Sequence, residues 1–240
     1  MASHSKNYKP FAISHKPYAI LYNKTMPRSK LRKFKELHDS LQVIEVNNAN
    51  FDDKLQKFIR PNKTLTLELG CGRAEYALAL AKNKPSELFI GLEKQGERLW
   101  YAAQILKQEK IDNVLLLRLP IEKIDQYFPR KSVDNIWLTF PDPYPKKKQA
   151  KKRLTGPAFL KMYKKILRPE GLVYLKTDDK NLLAYSLETV RNFGGKIIAQ
   201  ISDIHHRPDL EPNLKILTSF EKKHLAKDKK IHFLSWQFAN

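Results

Sequence analysis

From residue 64 onward, short apolar runs alternate with longer amphipathic stretches, and this alternation constrains the fold more than any other feature of the chain. Runs at 64–69, 88–92, 114–119, 135–139 and 172–176 have the length and apolar density of buried strands. Stretches at 74–82, 97–108, 157–167 and 181–192 read as helices, with a shorter one near 121–128. Pro157 suits the first turn of its helix, where a missing N–H costs nothing. Two last strands, 196–201 and 232–237, are expected, with Gly194-Gly195 marking the turn before the first. Seven strands interleaved with helices predict an α/β fold, a doubly wound, mostly parallel Rossmann-like sheet. A helix over 51–60, with Phe51, Leu55, Phe58 and Ile59 on one face, precedes it, and the domain is expected to span 51–240.

Open sheets of this kind bind ligands beyond the carboxyl ends of their strands. Leu65-Thr66-Leu67-Glu68-Leu69 runs into Gly70-Cys71-Gly72-Arg73-Ala74. Gly70 and Gly72 let the backbone approach a ligand closely. Glu68 puts a carboxylate at the tip of an apolar strand, where burial is costly unless something binds it. The next strand ends in Glu93, at the position that takes ribose hydroxyls in nucleotide-type sites. Either acid alone reads equally well as a solvated strand end, but the two flank one glycine turn. A dinucleotide and S-adenosylmethionine both fit such a turn. The dinucleotide fingerprint wants a third glycine where Glu75 stands, and Glu75 would set a carboxylate against a pyrophosphate at a helix N-terminus. S-adenosylmethionine has no phosphate and carries a positive sulfonium, so the acid-flanked turn suits it better.

The strand at 135–139 leads into Phe140-Pro141-Asp142-Pro143-Tyr144-Pro145. The prolines fix φ and lack donors, so Asp142 sits on a stiff loop. Lys146 to Arg153 then holds six basic residues in eight positions. Lys147, Lys148, Lys151, Lys152 and Arg153 are expected to contact RNA phosphates, giving affinity and orientation without base identity. Lys161, Lys164, Lys165 and Arg168 extend that surface. Whole-chain charge agrees: 45 Lys and Arg against 25 Asp and Glu give +20, the mark of a polyanionic partner.

Residues 1–35 contain nine Lys or Arg and no Asp or Glu. Residues 1–50 are therefore read as a flexible basic arm that orders on RNA. Cys71 is the only cysteine, so no internal disulfide and no cysteine-based metal site is expected, which fits a reducing cytoplasm. His205-His206 has no neighbours at metal-ligand spacing and reads as surface or RNA-facing. Trp100 reads as helix-to-sheet packing. No apolar run approaches the roughly 18 residues of a membrane span, and no signal-peptide core is evident.

Glu68-Leu69-Gly70-Cys71-Gly72, Glu93 and Pro141-Asp142-Pro143-Tyr144-Pro145-Lys146-Lys147 together closely resemble the bacterial tRNA (guanine-N7)-methyltransferase family, over roughly residues 60–238. Leu175-Lys176-Thr177-Asp178 and Thr218-Ser219-Phe220-Glu221 are similar to two further elements of it. The resemblance implies a class I enzyme that uses S-adenosylmethionine to methylate N7 of guanine 46 in the variable loop of tRNA. It implies that Glu68, Gly70, Gly72, Glu93, Pro120 and Asp142 hold the cofactor, with Asp142 catalytic. It also implies that Lys146, Asp178, Thr218 and Glu221 contact the tRNA or its target guanine. Tyr144 stands where the family usually has tryptophan. Pro120 stands where the family often has Asn or Asp near the adenine; it offers only its carbonyl, and Glu122 follows two residues later. tRNA is the expected partner, with no obligatory protein partner; a monomer and a homodimer both fit.

Guanine N7 has a lone pair and no proton, so methyl transfer needs no general base to begin. The work is in-line alignment, and fixed carboxylates can stabilise the cationic product. Asp142 and Asp178 are the candidates, although Asp178 reads equally well as a helix N-cap. One alternative is an exocyclic-amino methyltransferase, because Pro141-Asp142-Pro143-Tyr144 is similar to the D/N-P-P-Y loop. Another is a non-catalytic RNA-binding protein, against which Glu68, Glu93 and Asp142 argue. A nicotinamide oxidoreductase is disfavoured by the missing third glycine and by the basic run.

Overall fold

A computed structural model describes residues 28–40, 42–46, 48 and 50–239. In chain order its elements are α1 (Arg28–His38), β1 (Val43–Glu45), α2 (Phe51–Phe58), β2 (Leu65–Leu69), α3 (Glu75–Asn83), β3 (Leu88–Leu92), α4 (Gly96–Glu109), β4 (Val114–Arg118), α5 (Ile124–Tyr127), β5 (Val133–Thr139), α6 (Pro157–Ile166), β6 (Leu167–Thr177), α7 (Lys180–Asn192), β7 (Gly195–Ile201), α8 (Ser219–Leu225) and β8 (His232–Phe238). The strands form one sheet in the order β1-β4-β3-β2-β5-β6-β8-β7. Neighbours from β1 to β6 pair in parallel, while β8 is antiparallel to both β6 and β7. This is the doubly wound α/β architecture predicted, with eight strands among the described residues rather than seven.

Strand alternation divides the core into two layers. Leu65, Leu67, Leu69, Ile90, Leu92, Leu115, Leu117, Ile136 and Leu138 point to one face. Phe89, Val114, Leu116 and Trp137 point to the other, where α3 and α4 cover them. Because the period is two, Glu68 shares the second face with Trp137. Trp137 stacks on Tyr174 at 4.3 Å and touches Tyr76 at 4.7 Å, an aromatic plate that closes the sheet under the carboxyl ends of the strands.

The expected arm of residues 1–50 does not extend that far. Residues 1–27 lie outside the described residues, but α1 and β1 belong to the fold. β1 pairs with β4 along Val43↔Leu116 to Glu45↔Arg118, which satisfies the backbone of the sheet's edge. α1 lies against α4: Lys33 Nζ donates to Glu97 at 2.8 Å, and Trp100 Nε1 donates to Glu36 at 2.7 Å. Trp100 packs against the core layer on this side of the sheet, as expected, and its indole N–H also reaches α1.

Gly91 ties the core to the glycine turn. A Cβ there would sit 2.9 Å from Cys71 Sγ and 3.2 Å from a Leu116 methyl. Cys71 is buried, and burial pushes its thiol well above its ordinary pKa, so it is a packing group. Gly91→Ala is expected to cost about 1–3 kcal/mol by overpacking. Cys71→Ala should return part of that loss, so a double-mutant cycle by urea unfolding gives a favourable coupling; strict additivity would show that the two do not meet.

Candidate active site

The carboxyl ends of β2, β3 and β5 meet where the strand order reverses, and a cavity of about 720 Å³ opens there. Gly70 and Cys71 both donate their N–H groups to the Leu92 carbonyl, at 2.9 and 3.0 Å, so the chain turns sharply off β2. Gly70, Gly72 and Ala74 have φ of 72°, 59° and 54°. Glycine adopts such values freely, whereas for Ala74 the conformation costs roughly 1–2 kcal/mol. The result is a cavity wall made of backbone, with the N-terminus of α3 behind it.

Glu68 lines the cavity floor. Its carboxyl accepts from Thr139 Oγ1 at 2.5 Å and from the Ala77 N–H, in the first turn of α3, at 2.9 Å. Burial pushes its pKa up to about 7, against the pull of those two hydrogen bonds. Both donors are neutral, so a cationic group in the cavity would supply the counter-charge that Glu68 lacks. Glu93 is also buried. It accepts from the Gln95 N–H at 2.9 Å and the Gly72 N–H at 3.2 Å, with Arg98 at 3.6 Å, and so braces the glycine turn from behind. Pro120 caps a short 3-10 turn, Ile121–Lys123, its carbonyl accepting from the Lys123 N–H at 3.2 Å. It stands beside the glycine turn, where Ile121 would meet a Cβ on Gly70 at 3.9 Å.

Thr139 and Phe140 carry the cavity wall off β5. Phe140 N–H donates to the Lys176 carbonyl at 2.8 Å, and the loop then turns away with Asp142 exposed. Phe140 and Tyr144 both have positive φ, 49° and 42°, a strained pair bracketing Asp142. Partial burial and then the Asp142 charge raise the Tyr144 hydroxyl pKa. The 3-10 turn Lys147–Lys152 follows, with Lys146, Lys147, Lys148, Lys151 and Lys152 exposed. Arg153, also expected at a phosphate, makes contacts within the protein. Its Nε donates to the Pro143 carbonyl at 3.0 Å, a terminal nitrogen donates to the Tyr144 carbonyl at 2.9 Å, and its guanidinium lies 4.2 Å over the Tyr185 ring.

On the other side, Lys176 at the end of β6 is fully buried, as is Glu221, and the two pair at 2.8 Å. The ammonium also donates to the Leu214 and Ile216 carbonyls at 3.3 and 3.1 Å, so all three of its protons are placed. Burial lowers the Lys176 pKa, with Glu221 opposing. The second Glu221 oxygen meets His205 Nε2 at 2.9 Å. The cluster keeps Glu221 fully buried between Lys176 and His205, and makes His205 an inward-facing partner rather than a surface group. Thr218 caps α8, its hydroxyl accepting from the Glu221 N–H at 3.1 Å, and it lines the cavity with Ser219 and Phe220. Asp178 is not a helix cap; Asp179 caps α7 by accepting from the Leu182 N–H at 2.7 Å. Asp178 instead pairs with Lys229 at 2.7 Å and His224 at 3.4 Å.

Of the residues expected at the site, Glu68, Gly70, Gly72 and Thr218 line one cavity, and Glu93 buttresses it. Asp142 and Lys146 stand on the adjoining loop. Tyr101 is a further cavity-lining ring, with Arg73 at 4.5 Å and Lys33 at 4.8 Å. Glu75, which stands in place of a third glycine, accepts from the Ser219 N–H at 2.5 Å and joins the N-terminus of α3 to that of α8. Among the described residues no three His, Cys, Asp or Glu gather as a metal site, and no helix is long and apolar enough to cross a membrane.

Comparison with known proteins agrees with this geometry. A family described as putative methyltransferase matches residues 62–234. The chain is 34% identical over 220 residues to a tRNA (guanine-N(7)-)-methyltransferase of Christiangramia forsetii, covering 88% of this chain and 98% of that one. It is 32% identical over 218 residues to the protein of that name from Cytophaga hutchinsonii, covering 89% and 99%. Among solved structures, the 16S rRNA methyltransferase KamB aligns with a TM-score of 0.59 at 14% identity, over 79% of this chain and 94% of that one. A 16S rRNA (adenine(1408)-N(1))-methyltransferase from Catenulisporales acidiphilia, solved with its cosubstrate SAM, aligns at 0.52 and 12%, over 77% and 89%. These two share the fold. With a methyltransferase sheet, a glycine turn flanked by acids and near-full-length relatives above 30% identity, the chain belongs to the tRNA (guanine-N(7)-)-methyltransferase family.

Proposed function

We propose that this protein transfers a methyl group from S-adenosylmethionine to N7 of guanine 46 in the variable loop of tRNA, in the cytoplasm. The observation that carries the reading is the meeting of the Glu68 glycine turn and the Thr139-Phe140 end of β5, from which the Asp142 loop leaves, at one cavity, in a chain that aligns over 88–89% of its length with relatives of that name. The variable-loop position rests on the family resemblance.

Gly70 and Gly72, with Glu68, Glu93 and the Pro120 carbonyl around them, would hold S-adenosylmethionine. When bound, it supplies an electrophilic methyl group on a sulfonium. Guanine N7 attacks without losing a proton, so the protein's task is placement. Asp142 orients the reacting groups, and its carboxylate faces the positive charge that develops on the purine. Asp178 accepts from guanine N1–H and the 2-amino group, selecting guanine, after giving up Lys229. Thr218 and Lys146 contact the nucleotide. Glu221 acts through Lys176, by holding the wall that carries Thr218. Lys147, Lys148, Lys151 and Lys152 neutralise tRNA phosphates, and the basic segment 1–27 adds to that field.

Asp142→Ala is expected to lower kcat at least a hundredfold while the protein still binds both ligands. The assay uses labelled S-adenosylmethionine and unmodified tRNA transcript, with the nucleoside identified by mass spectrometry. Normal turnover in that variant would refute an essential Asp142. Methyl transfer to an exocyclic amine by the wild type would move the reading to the alternative chemistry.

Glu68 gives a pH signature. Its pKa of about 7 lies above the ordinary 4.5, so in the free protein it is largely protonated below neutrality, and a cationic ligand favours the ionised form. Affinity for S-adenosylmethionine is therefore expected to rise as pH increases from about 6 to 8, with proton release at the lower end. The same carboxyl contributes to stability fully below about pH 4.5, and that contribution is lost as pH rises through 7. Calorimetry on wild type and Glu68→Gln checks both: the variant should be flat across this window, and a flat wild type would show that Glu68 does not answer to the ligand's charge.

A further inference from the structure

Six basic residues in eight positions invite one interpretation for all of them, yet Arg153 differs from its neighbours in what it touches. Its side chain is half-buried. Two of its nitrogens are spent on the carbonyls of Pro143 and Tyr144, the two residues that follow Asp142. Its flat face rests on Tyr185 of α7 at 4.2 Å. The corner that brings it there is tightly made. The Gly156 N–H donates to the Arg153 carbonyl at 2.9 Å, and a Cβ on Gly156 would lie 3.0 Å from that carbonyl and 3.5 Å from the Tyr185 hydroxyl. Next to it, Thr155 and Ser186, both buried, are hydrogen-bonded at 2.8 Å. The corner is therefore fixed to α7 at two consecutive residues, Tyr185 and Ser186.

The loop that Arg153 grips needs a grip. Phe140 and Tyr144 are held at positive φ, a conformation that persists in non-glycine residues only where surroundings enforce it. Pro141, Pro143 and Pro145 have no N–H, so the loop has few donors with which to fix itself. Carbonyls are what it can offer, and a guanidinium fork is the side chain that takes two carbonyls at once while stacking on a ring. We propose that Arg153, seated on Tyr185, is the positioning residue of the Asp142 loop: it fixes the loop that carries Asp142 away from Phe140 at the cavity wall, rather than binding RNA phosphate. This rests on the reading of Asp142 as the residue that aligns the methyl transfer.

The test compares Arg153→Ala with Lys151→Ala, a lysine exposed on the same run. Arg153→Ala is expected to lower kcat about a hundredfold, the scale of an ångström-level misplacement, while the Kd for tRNA and its dependence on salt stay unchanged. Lys151→Ala should instead weaken tRNA binding and lower the log–log salt slope by roughly 0.7–0.9. Amide exchange at Tyr144 and Lys146 should quicken in Arg153→Ala, and a low, non-denaturing concentration of guanidinium ion should restore part of kcat. Arg153→Lys should stay impaired, because an ammonium cannot span both carbonyls and keep the ring. If Arg153→Ala does not fold, Tyr185→Ala removes the seat instead and should show the same pattern about tenfold smaller, with Tyr185→Phe restoring it. Unchanged kcat with weaker, less salt-dependent tRNA binding in Arg153→Ala would make Arg153 a phosphate contact and overturn the proposal. A wild type that does not methylate tRNA would overturn the functional reading instead, and the exchange rates would still judge the brace.

Discussion

The cavity exists because a lysine is buried. Lys176 leaves the end of β6 with no exposed side-chain surface, and its ammonium is satisfied by Glu221 and the carbonyls of Leu214 and Ile216. Those partners lie in a segment of 3-10 turns and a short helix, which also buries Ile204, Leu210 and Leu214 in the core. The pair is weak evidence of stability, since desolvating two charges offsets much of their attraction. Its value is directional. Breaking it would leave an uncompensated buried charge, so the segment has one seat, and Thr218, Ser219 and Phe220 are delivered to the cavity rim.

Charge around that rim is sorted by depth. Glu68 and Glu93 are buried on the inner side, held by hydroxyl and backbone donors. Lys146, Lys147, Lys148, Lys151 and Lys152 are exposed on the outer side. A small cation is drawn to the inner acids and a polyanion to the outer lysines. Asp142 is exposed on a loop stiffened by proline and bracketed by Phe140 and Tyr144 at positive φ. Two ligands of opposite charge can therefore approach the same strand end from different directions without competing.

The sequence foreshadowed elements in proportion to how local their causes are. β2 to β6 and the helices between them were legible because apolar runs and amphipathic periods are written in consecutive residues. α1 was not: Leu31, Phe34 and Leu37 mark one side, but lysines and arginines all around them imitate an unstructured arm. β1 is three residues long, too short for alternation to register, and becomes a strand only because β4 offers an open edge. α8 left a signal that went unused, since Thr218 followed by Glu221 three residues later is a capping pattern. The acids of the site were legible from their positions at strand ends. Their partners were not, because Lys176 and Glu221 are 45 residues apart, and Arg153 looks like its neighbours until Tyr185 is seen beneath it.

The structure also separates a dinucleotide from a cationic ligand at the glycine turn. A pyrophosphate on this kind of turn needs the free amides at the start of the following helix. Here the Ala77 N–H is taken by Glu68 and the Gly72 N–H by Glu93, while Glu75 projects its own carboxylate across the mouth to Ser219. The anion-binding end of α3 is thus filled by the protein's own acids. An entering pyrophosphate would have to displace carboxylates and then sit among them, whereas a sulfonium meets the charge it lacks. With Glu68 and Glu93 on its amides and Glu75 at the place of a third glycine, this turn suits a cationic ligand better than a pyrophosphate.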